Sequence, residues 1–462
     1  METPPTTASV PSSDLVPLRE ATRAWFAISL QTFGGPAGQI AVMQRTLVDD
    51  KRWIGQQRFL HALNYCMLLP GPEAQQLAIY IGWLLNGTPG GLVAGTLFVL
   101  PGLVALMALS AIYVAYGTTT VVTGLFVGLS AAVLSVVVQA LIRVGRRALG
   151  HGVFVAIAAG AFVALAVFGV SFPIVVAVAA GLGWLLGRYA PQVLRASEAH
   201  GATTDGPAPL IADDALHGEA GSWRHSVRVL VVGLTVWLLP LVIVGVFTGR
   251  HSTLTTQGVF FSGTALVTFG GAYAVLSFVA QRAVEAYGWL SAREMVRGLG
   301  LAETTPGPLI MVVVFVAFLG AYRSPDGLPR WGAAVIAALL VTWAIFVPCF
   351  IFIFLGAPYV ERLRGNRAIS SALAGITAAV VGVIANLAYY FAIHTLFRDT
   401  RIVDYGPLSL TLPLLDTARW VSVVIAAIAA FLTFRLNWSV LRVLGACAGL
   451  GLIAALCQLD VS

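Results

Sequence analysis

Long apolar segments alternate with short polar ones along this chain, and that pattern constrains its fold more than any other feature. Hydrophobic residues make up 58% of the 462 positions and charged residues only 10%, whereas roughly a quarter of an ordinary soluble domain is charged. Many segments exceed the roughly 18 apolar residues that cross a bilayer as a helix. The sequence therefore predicts an all-α, polytopic membrane protein surrounded by the lipid bilayer.

Two groups of apolar segments flank a polar stretch at 190–223, which is rich in Pro, Gly, Ser and acidic residues and is expected to be a cytoplasmic linker. Residues 1–17 are expected to be a disordered N-terminal tail. We predict about thirteen transmembrane helices in two repeats, 18–189 and 224–462. The segments lie near 18–45, 57–86, 91–116, 118–142, 152–170, 172–189, 225–248, 254–280, 290–321, 331–356, 368–396, 418–436 and 440–458.

One pair of short motifs occurs once in each half. Thr-Phe-Gly-Gly at 32–35 returns at 268–271, and Pro-Gly-Pro at 70–72 returns at 306–308, both 236 residues later (268 − 32 and 306 − 70). Glycine is conformationally permissive and proline removes a backbone donor, so both motifs should interrupt helices. Duplicated interruptions inside apolar segments are how many secondary transporters build a binding site near the membrane midplane.

The repeat extends to one pair of later helices, in which Gly128 aligns with Gly375 and the carboxamide of Gln139 with that of Asn386. Basic residues follow the first of these helices and precede the second. They are Arg143, Arg146 and Arg147, and Arg362, Arg364 and Arg367. Because positive residues favour the cytoplasmic side, the matched helices should run in opposite directions. We therefore predict inverted-topology repeats with broken helices; re-entrant hairpins at the two Pro-Gly-Pro sites remain an alternative that would change the span count.

The broken helices are the predicted substrate site. A helix that restarts after a break presents free amides and about half a positive charge, which favours an anion. The candidate substrate-binding residues lie at or beside the four breaks. They are Phe33, Gly34, Gly35, Pro70, Gly71, Pro72, Phe269, Gly270, Gly271, Thr304, Thr305, Pro306, Gly307 and Pro308.

Two arginines occupy matched positions after the Gly-Gly breaks, Arg45 and Arg282. A guanidinium offers a planar fork of donors that suits a tetrahedral oxyanion, so both are candidate ligands. The alternative is an arginine that reaches the membrane interface and only reports topology.

Two carboxylates flank the Pro-Gly-Pro motifs, Glu73 and Glu303, with the amides Gln75 and Gln76 as supporting polar groups. Carboxylates at membrane depth tend to mark proton relays, so we predict a proton-coupling role, although Glu73 is also placed to cap a helix. In the repeat, Glu73 matches Leu309 and Glu303 matches Met67. The halves therefore place their carboxylates differently, and an asymmetric site is expected.

Several function classes are disfavoured. The four cysteines are scattered and the histidines do not cluster, so we expect no metal and no cofactor. No G-x-x-x-x-G-K-[ST] sequence supports ATP binding, and no cluster of acidic or His residues supports a membrane enzyme. The net charge of +7 is spread over loops and fits membrane orientation rather than nucleic acid.

The two Phe-Gly-Gly sequences, the two Pro-Gly-Pro sequences and the segment from Ala357 to Arg367 resemble the bacterial chromate transporter family in its long, two-domain form, over about residues 20–440. The resemblance implies an inner-membrane secondary carrier that exports chromate, draws on the proton motive force and gives chromate resistance. The implied partners are chromate and protons, with a homodimer as an open arrangement. A sulfate or other oxyanion carrier is the alternative, and an anion channel a further one.

Overall fold

The computed structural model describes residues 15–190, 210–211, 223–269, 272–357, 367–405 and 408–459. In the first half the helices are α1 Leu18–Ser29, α2 Gly35–Gln44, α3 Gln56–Cys66, α4 Glu73–Tyr116, α5 Thr120–Ala148, α6 Gly152–Ala166 and α7 Phe172–Tyr189. In the second they are α8 Trp223–Thr248, α9 Thr253–Val267, α10 Ala272–Gln281, α11 Ala292–Thr304, α12 Val312–Arg323, α13 Arg330–Gly356, α14 Arg367–Leu396, α15 Trp420–Phe434 and α16 Val440–Leu456. Strands β1 Thr400–Tyr405 and β2 Leu408–Pro413 form an antiparallel hairpin between α14 and α15. Residues 1–14 of the predicted N-terminal tail and most of the predicted linker lie outside the described residues. The end of the predicted tail is ordered, since Val16 is 3% exposed and packs in the core.

Six of these helices are long and apolar enough to cross a membrane: α4, α5, α7, α8, α13 and α14. Three shorter apolar helices, α6, α15 and α16, pack along α14 or α5. The expected all-α, polytopic membrane class is confirmed. The core lies between these helices, and every residue of 312–319 is at most 1% exposed because α12 is surrounded on all sides.

The chain breaks at the predicted motifs, and the breaks need glycine. Gly34 has φ +79°, Gly71 φ +127° and Gly307 φ +107°, backbone conformations that other residues rarely adopt. A further break at Asn86 and Gly87 folds α4 back on itself, so that 73–85 and 88–116 are antiparallel arms. We call them the short and the long arm of α4.

The broken segments of the first half begin and end on one side of the molecule. Lys51, after α2, forms an ion pair of 3.5 Å with Glu20, at the start of α1. The amide of Leu15, before α1, donates to Leu85 O at the end of the short arm of α4 (3.1 Å). Ile211, from the linker region, pairs with the start of α3, so we call this side the linker face.

The broken segments of the second half begin and end on another side. The carboxylate of Asp326, after α12, accepts a hydrogen bond from Thr253 N at the start of α9. The guanidinium of Arg323 donates to Trp289 O, after α10, at 3.3 Å and to Glu294, at the start of α11, at 2.6 Å. We call this side the distal face.

The long arm of α4 connects the two faces. It starts beside Asn86, whose Nδ2 donates to Val16 O (2.6 Å) at the linker face, and it ends near Tyr113, whose hydroxyl donates to Glu294 (3.1 Å) at the distal face. The first half's hairpins therefore open to one face and the second half's to the opposite face.

The four interrupted segments, each expected to be one crossing, are thus helical hairpins with both ends on one face. Their arms contain 10 to 15 residues, about 15–22 Å of helix, too short to cross a hydrocarbon core of about 30 Å. Re-entrant hairpins, the alternative left open by the sequence, occur at the Gly-Gly breaks as well as at the Pro-Gly-Pro breaks. The other nine expected crossings (13 − 4) are uninterrupted within the described residues. Six of them lie in helices long and apolar enough to cross a membrane, and the other three are the shorter apolar helices α6, α15 and α16.

The matched helices α5 and α14 run antiparallel. One cavity is lined by Thr123 near the start of α5 and His394 near the end of α14. Another is lined by Arg147 near the end of α5 and Leu373 near the start of α14. This is the relation that inverted repeats require. Arg362 and Arg364, used to predict it, lie outside the described residues.

The two halves exchange their C-terminal hairpins. Helices α6 and α7 pack on α14, and α15 and α16 pack on α5. The crossing of Gly183 with Gly375 mirrors that of Gly451 with Gly128, since a Cβ on either Gly183 or Gly451 would lie within 3 Å of the partner glycine's backbone. Each half therefore completes the packing of the other.

Candidate functional site

The four helix breaks meet in the middle of the molecule and bond across the halves. The amide of Gly71 donates to Thr268 O (2.8 Å), and the amide of Gly307 donates to Thr32 O (3.0 Å). Gln39 Nε2 in α2 also donates to Gly307 O (2.6 Å). Each Pro-Gly-Pro segment is thus held by the Thr-Phe-Gly segment of the other half, which fixes all four breaks at one depth.

A cavity of about 210 Å³ lies beside these breaks, between the first half's hairpins and the linker-face ends of α5 and α14. It is lined by Pro36, Ala37, Ile40, Leu63, Cys66, Met67, Leu69, Gly71, Glu73, Ala140, Arg143, Val144, Arg147, Ala272, Tyr273, Leu373, Ile376, Thr377 and Ile384. We call it the central cavity.

Three helices begin at the wall of the central cavity. They are α2 at Pro36 and Ala37, α4 at Glu73, and α10 at Ala272 and Tyr273. Neither α2 nor α4 has a side chain that caps its first turn. The amides and the partial positive charges of these helix ends are therefore available to an anion, as the Gly-Gly and Pro-Gly-Pro motifs predict.

The cationic groups of the cavity are Arg143 and Arg147, four residues apart on one side of α5. Arg143 Nη2 also donates to Gln139 Oε1 (3.3 Å). In the sequence, both arginines were interpreted only as orientation signals. Their i, i+4 spacing, which places them on one helix face while Arg146 points elsewhere, was the signal that could have found them.

Arg45 and Arg282 lie outside the lining of the central cavity. Each begins a π-helical turn, Arg45–Asp50 and Arg282–Ala286, and each side chain is exposed. Arg45 donates to Gln31 Oε1 (3.2 Å), and Arg282 lies 5.8 Å from the centre of the Tyr287 ring. The widened turns thus place both matched arginines at the surface, and a different pair, Arg143 and Arg147, lines the cavity.

The two predicted coupling carboxylates are in different environments. Glu73 lines the cavity, whereas Glu303 is 2% exposed behind Tyr273, whose hydroxyl donates to Glu303 Oε1 (2.7 Å). Glu303 Oε2 has no hydrogen-bond partner among the described residues. The positive charge of Arg147 acts on Glu73 and that of Arg143 on Glu303. Tyr273 therefore separates the second carboxylate from the cavity by one hydroxyl group.

The positions that match these carboxylates in the repeat are apolar. Leu309 is 2% exposed at the start of the segment leading into α12, while Met67 lines the central cavity and is 49% exposed. Each half contributes its acid from a different arm of its hairpin.

Other predicted polar residues bind the chain itself. The hydroxyls of Thr304 and Thr305 donate to carbonyls of the preceding turn, and Gln76 Nε2 donates to Pro70 O (2.7 Å). Gln75 is fully buried, and neither of its amide atoms has a partner in the described part of the chain. The hydroxyls of Thr304 and Thr305 and the amide of Gln76 therefore stabilise the breaks, and none of these side chains, nor that of Gln75, lines the central cavity.

The remaining candidates lie around the site. Phe33 and Phe269 are partly buried and outside the cavity lining, and Asn386 Nδ2 donates to Ser277 Oγ (3.5 Å). Pro72, Pro306 and Pro308 shape the breaks, and Gly270 and Gly271 lie outside the described residues.

Comparison with known proteins finds relatives over most of the chain. The chromate transporter family model matches residues 19–184 and 256–452. The chain is 30% identical over 383 residues to a chromate transport protein of Cupriavidus metallidurans, covering 82% of this chain and 84% of that one. It is 31% identical over 363 residues to a chromate transport protein of Pseudomonas aeruginosa (77% and 76%) and 26% over 369 residues to a probable chromate transport protein of Synechococcus elongatus (80% and 83%). No solved structure matches the chain.

Proposed function

The chain belongs to the chromate transporter family, and we propose that it is a secondary carrier that exports chromate through the central cavity. The observation that supports this proposal is the convergence of three helix N-termini and two arginines on one cavity at the depth of the helix breaks. Chromate is a tetrahedral dianion whose oxygens accept hydrogen bonds, so amide donors and guanidinium forks suit it.

Binding begins at the linker face in this mechanism. Because that face carries Arg143, Arg146 and Arg147, we propose that it is cytoplasmic in the bacterial inner membrane. The ion enters between α5 and α14, where Arg147 and Arg143 offset its charge. It then occupies the amides at the starts of α2, α4 and α10.

The hairpins provide the alternating access. Those of the first half open to one face and those of the second half to the other, and the two sets are hydrogen-bonded to each other at the breaks. A tilt of one set against the other closes the cavity on one side and opens it on the opposite side. The membrane potential favours export, since moving two negative charges out of a cytoplasm-negative cell across 100 mV releases about 2 × 2.3 kcal/mol.

We propose that Glu73 and Glu303 couple this motion to protons. A protonated Glu73 leaves Arg147 free for the substrate, and the charged form competes with the substrate for that arginine. Glu303 exchanges its proton with the cavity through the Tyr273 hydroxyl, to which it is hydrogen-bonded at 2.7 Å. The two acids differ in their access to the cavity. We propose that one of them, Glu303, sets the pH response of transport.

The test is uptake of labelled chromate into inverted membrane vesicles, with the pH gradient and the membrane potential imposed separately. We compare the wild type with Arg147→Gln and with Arg146→Gln, a matched control on the same turn of α5 outside the cavity lining. Loss of one charge-assisted hydrogen bond predicts a KM for chromate raised at least about tenfold in Arg147→Gln. Arg146→Gln should keep the wild-type KM.

Equal transport by the two variants would remove the central cavity as the binding site. Unchanged pH dependence in Glu73→Gln and Glu303→Gln would remove the proton coupling but keep the carrier. The same vesicles separate the alternatives, since sulfate flux that chromate inhibits would assign a broader oxyanion carrier, and non-saturating flux a channel. If the proposal is correct, cells that express the protein tolerate more chromate than cells that express Arg147→Gln.

A further inference from the structure

A second cavity lies at the distal face, separate from the central cavity. Its volume is about 230 Å³, and it is enclosed by the start of α5, the start of α11, the end of α14 and the start of α15. It is lined by Thr123, Phe126, Val127, Ser130, Arg293, Val296, Arg297, His394, Thr395, Arg419 and Ser422. We call it the distal arginine cavity.

Three arginines from two separate parts of the chain face this space, Arg293, Arg297 and Arg419. No acidic residue is among the lining residues in the described part of the chain. The nearest carboxylate in sequence, Glu294, forms an ion pair with Arg323 at 2.6 Å. The positive charges in the cavity are therefore not neutralised by its own wall.

Arg419 shows the effect of placing these positive charges close together. It lies outside the spans, immediately before α15, where its amide donates to Leu396 O (2.8 Å). Burial, together with the charges of Arg293, Arg398 and Arg297, lowers the pKa of Arg419 to about 10. The exposed Asp399 opposes this shift and does not outweigh it. An anion between the arginines would relieve the repulsion.

Two of the residues that line the cavity, Arg419 and Thr395, have buried polar atoms without partners in the described part of the chain. Arg419 Nε and Nη2 and Thr395 Oγ1 have no hydrogen-bond partner among the described residues, and Thr395 is only 5% exposed. A buried donor left unpaired is destabilising by more than a typical hydrogen bond stabilises. Two of these three donors belong to Arg419, which is also one of the three cations, and the combination points to a ligand that accepts hydrogen bonds and is negatively charged.

A second arginine of the group is held rigidly. Arg297 Nη1 donates to Tyr113 Oη (3.1 Å), and its guanidinium lies 5.6 Å from the centre of the Phe126 ring. Arg297 also lines the cavity. A fixed, planar guanidinium suits a compact oxyanion better than a flexible lysine would.

The position of the cavity relates it to the transport path. Both cavities lie against the α5 and α14 pair, and their nearest α5 residues are Ser130 and Ala140. Ten residues of helix separate these two by about 15 Å. The distal arginines also lie on the face opposite Arg143, Arg146 and Arg147, the basic residues that indicate the membrane orientation. The preference of basic residues for the cytoplasmic side therefore does not account for the distal arginines.

We propose that the distal arginine cavity is a second binding site for a tetrahedral oxyanion. The transported ion occupies this site on the distal side of the central cavity. The assignment of the ion as the transported one rests on the proposed function. The site itself rests on the arginines, the unpaired donors and the cavity, and would exist for any oxyanion of this size and charge.

The test is equilibrium binding of labelled sulfate and of labelled chromate to the purified full chain in a neutral detergent. We compare the wild type with Arg419→Gln and with Arg401→Gln, an exposed control on β1 at the same face and outside the cavity lining. The wild type and Arg401→Gln should bind two ions per chain. Arg419→Gln should bind one, with its second site weakened at least about tenfold.

The outcomes separate this proposal from the transport proposal. Two sites of unchanged affinity in Arg419→Gln, or one site in the wild type, would overturn the distal site. Arg147→Gln should lose the other site and keep the distal one, so a protein that keeps both sites in Arg147→Gln contradicts the central site alone. Adding phosphatidylglycerol tests the other source of an oxyanion, because lipid that displaces the distal ion from the wild type and leaves the central ion bound would assign the site to a headgroup.

Discussion

The crossing of α7 with α14 allows a sharp test of the exchanged packing. We predict that Gly183→Ala destabilises the protein while Gly181→Ala, two residues away in the same helix, does not. A Cβ on Gly183 would lie 2.4 Å from Ser371 O and 2.9 Å from the backbone of Gly375. A Cβ on Gly181 would meet nothing within 4 Å.

The magnitude follows from the distance that the helices must separate. Ordinary contact begins near 3.4 Å, so α7 and α14 must move apart by about 1 Å (3.4 − 2.4). A gap of that size removes a quarter to a half of the dispersion energy at each contact that it opens. Overpacking typically costs about 1–3 kcal/mol, and backbone cannot move aside as a side chain can, so the upper part of that range applies. Alanine regains at most about 1 kcal/mol of helix propensity, leaving a net loss of about 1–2 kcal/mol.

The assay is reversible unfolding of the purified protein in mixed micelles of increasing SDS, followed by tryptophan fluorescence. Gly183→Ala should lower the free energy of unfolding, and Gly181→Ala should leave it unchanged or raise it by up to about 1 kcal/mol. The inverted half provides a replicate, because Gly451 contacts Gly124 O and Gly449 is open in the same way. Equal stabilities for Gly183→Ala and Gly181→Ala would refute the close crossing.

Three further predictions concern the site and its supports. Glu303→Gln keeps the size of the side chain but removes its negative charge, so we expect chromate flux that no longer responds to an imposed pH gradient, measured in vesicles; a wild-type response would contradict the Tyr273 relay. Gly307→Ala places a side chain at φ +107°, so we expect about 1–3 kcal/mol of strain, read as a lower unfolding free energy than that of the unstrained Gly332→Ala. Burial alone would raise the pKa of Glu294. Hydrogen bonds from Arg323 and Ser291 outweigh this effect, so the pKa lies below its usual value. The ion pair of Glu294 with Arg323 therefore stabilises the fold at neutral pH, and this stabilisation is lost as pH falls through the lowered pKa. Arg323→Gln should shift acid unfolding to higher pH. An unshifted acid transition would show that the pair contributes nothing.

Much of the fold was predictable because glycine and proline act locally. The breaks at Gly34, Gly71 and Gly307 follow from backbone sterics alone, and the chain places them where the motifs predict. The hairpins were harder to predict from the sequence. Each arm of 10 to 15 residues is as apolar as half of a spanning helix, so two arms in succession resemble one crossing. Only contacts between distant residues, such as Lys51 with Glu20, show that a broken segment returns to its starting face.

The helix breaks of the candidate site follow from the sequence, whereas the arginines that line the central cavity do not. Helix N-termini follow from the motifs, whereas the choice between Arg45 and Arg147 depends on where each side chain points in three dimensions. A π-helical turn rotates Arg45 away, and residues 40–50 contain neither glycine nor proline that would signal such a turn. Arg147 lines the cavity together with hairpin residues such as Glu73, which lies 74 residues earlier in the chain (147 − 73), and periodicity within α5 does not reveal such a neighbour.

The exchange of C-terminal hairpins also affects the order in which the protein can complete its folding. Helix α5 leaves the ribosome early, yet the partners that cover it, α15 and α16, span the final stretch Trp420–Leu456. Domains usually fold as they emerge, from the N-terminus onward. Here the first half must wait in the bilayer with one side of α5 facing lipid until synthesis is nearly complete. A nascent chain stopped before α15 is thus left without the cover for α5, and quality control has until the last helices insert to recognise it.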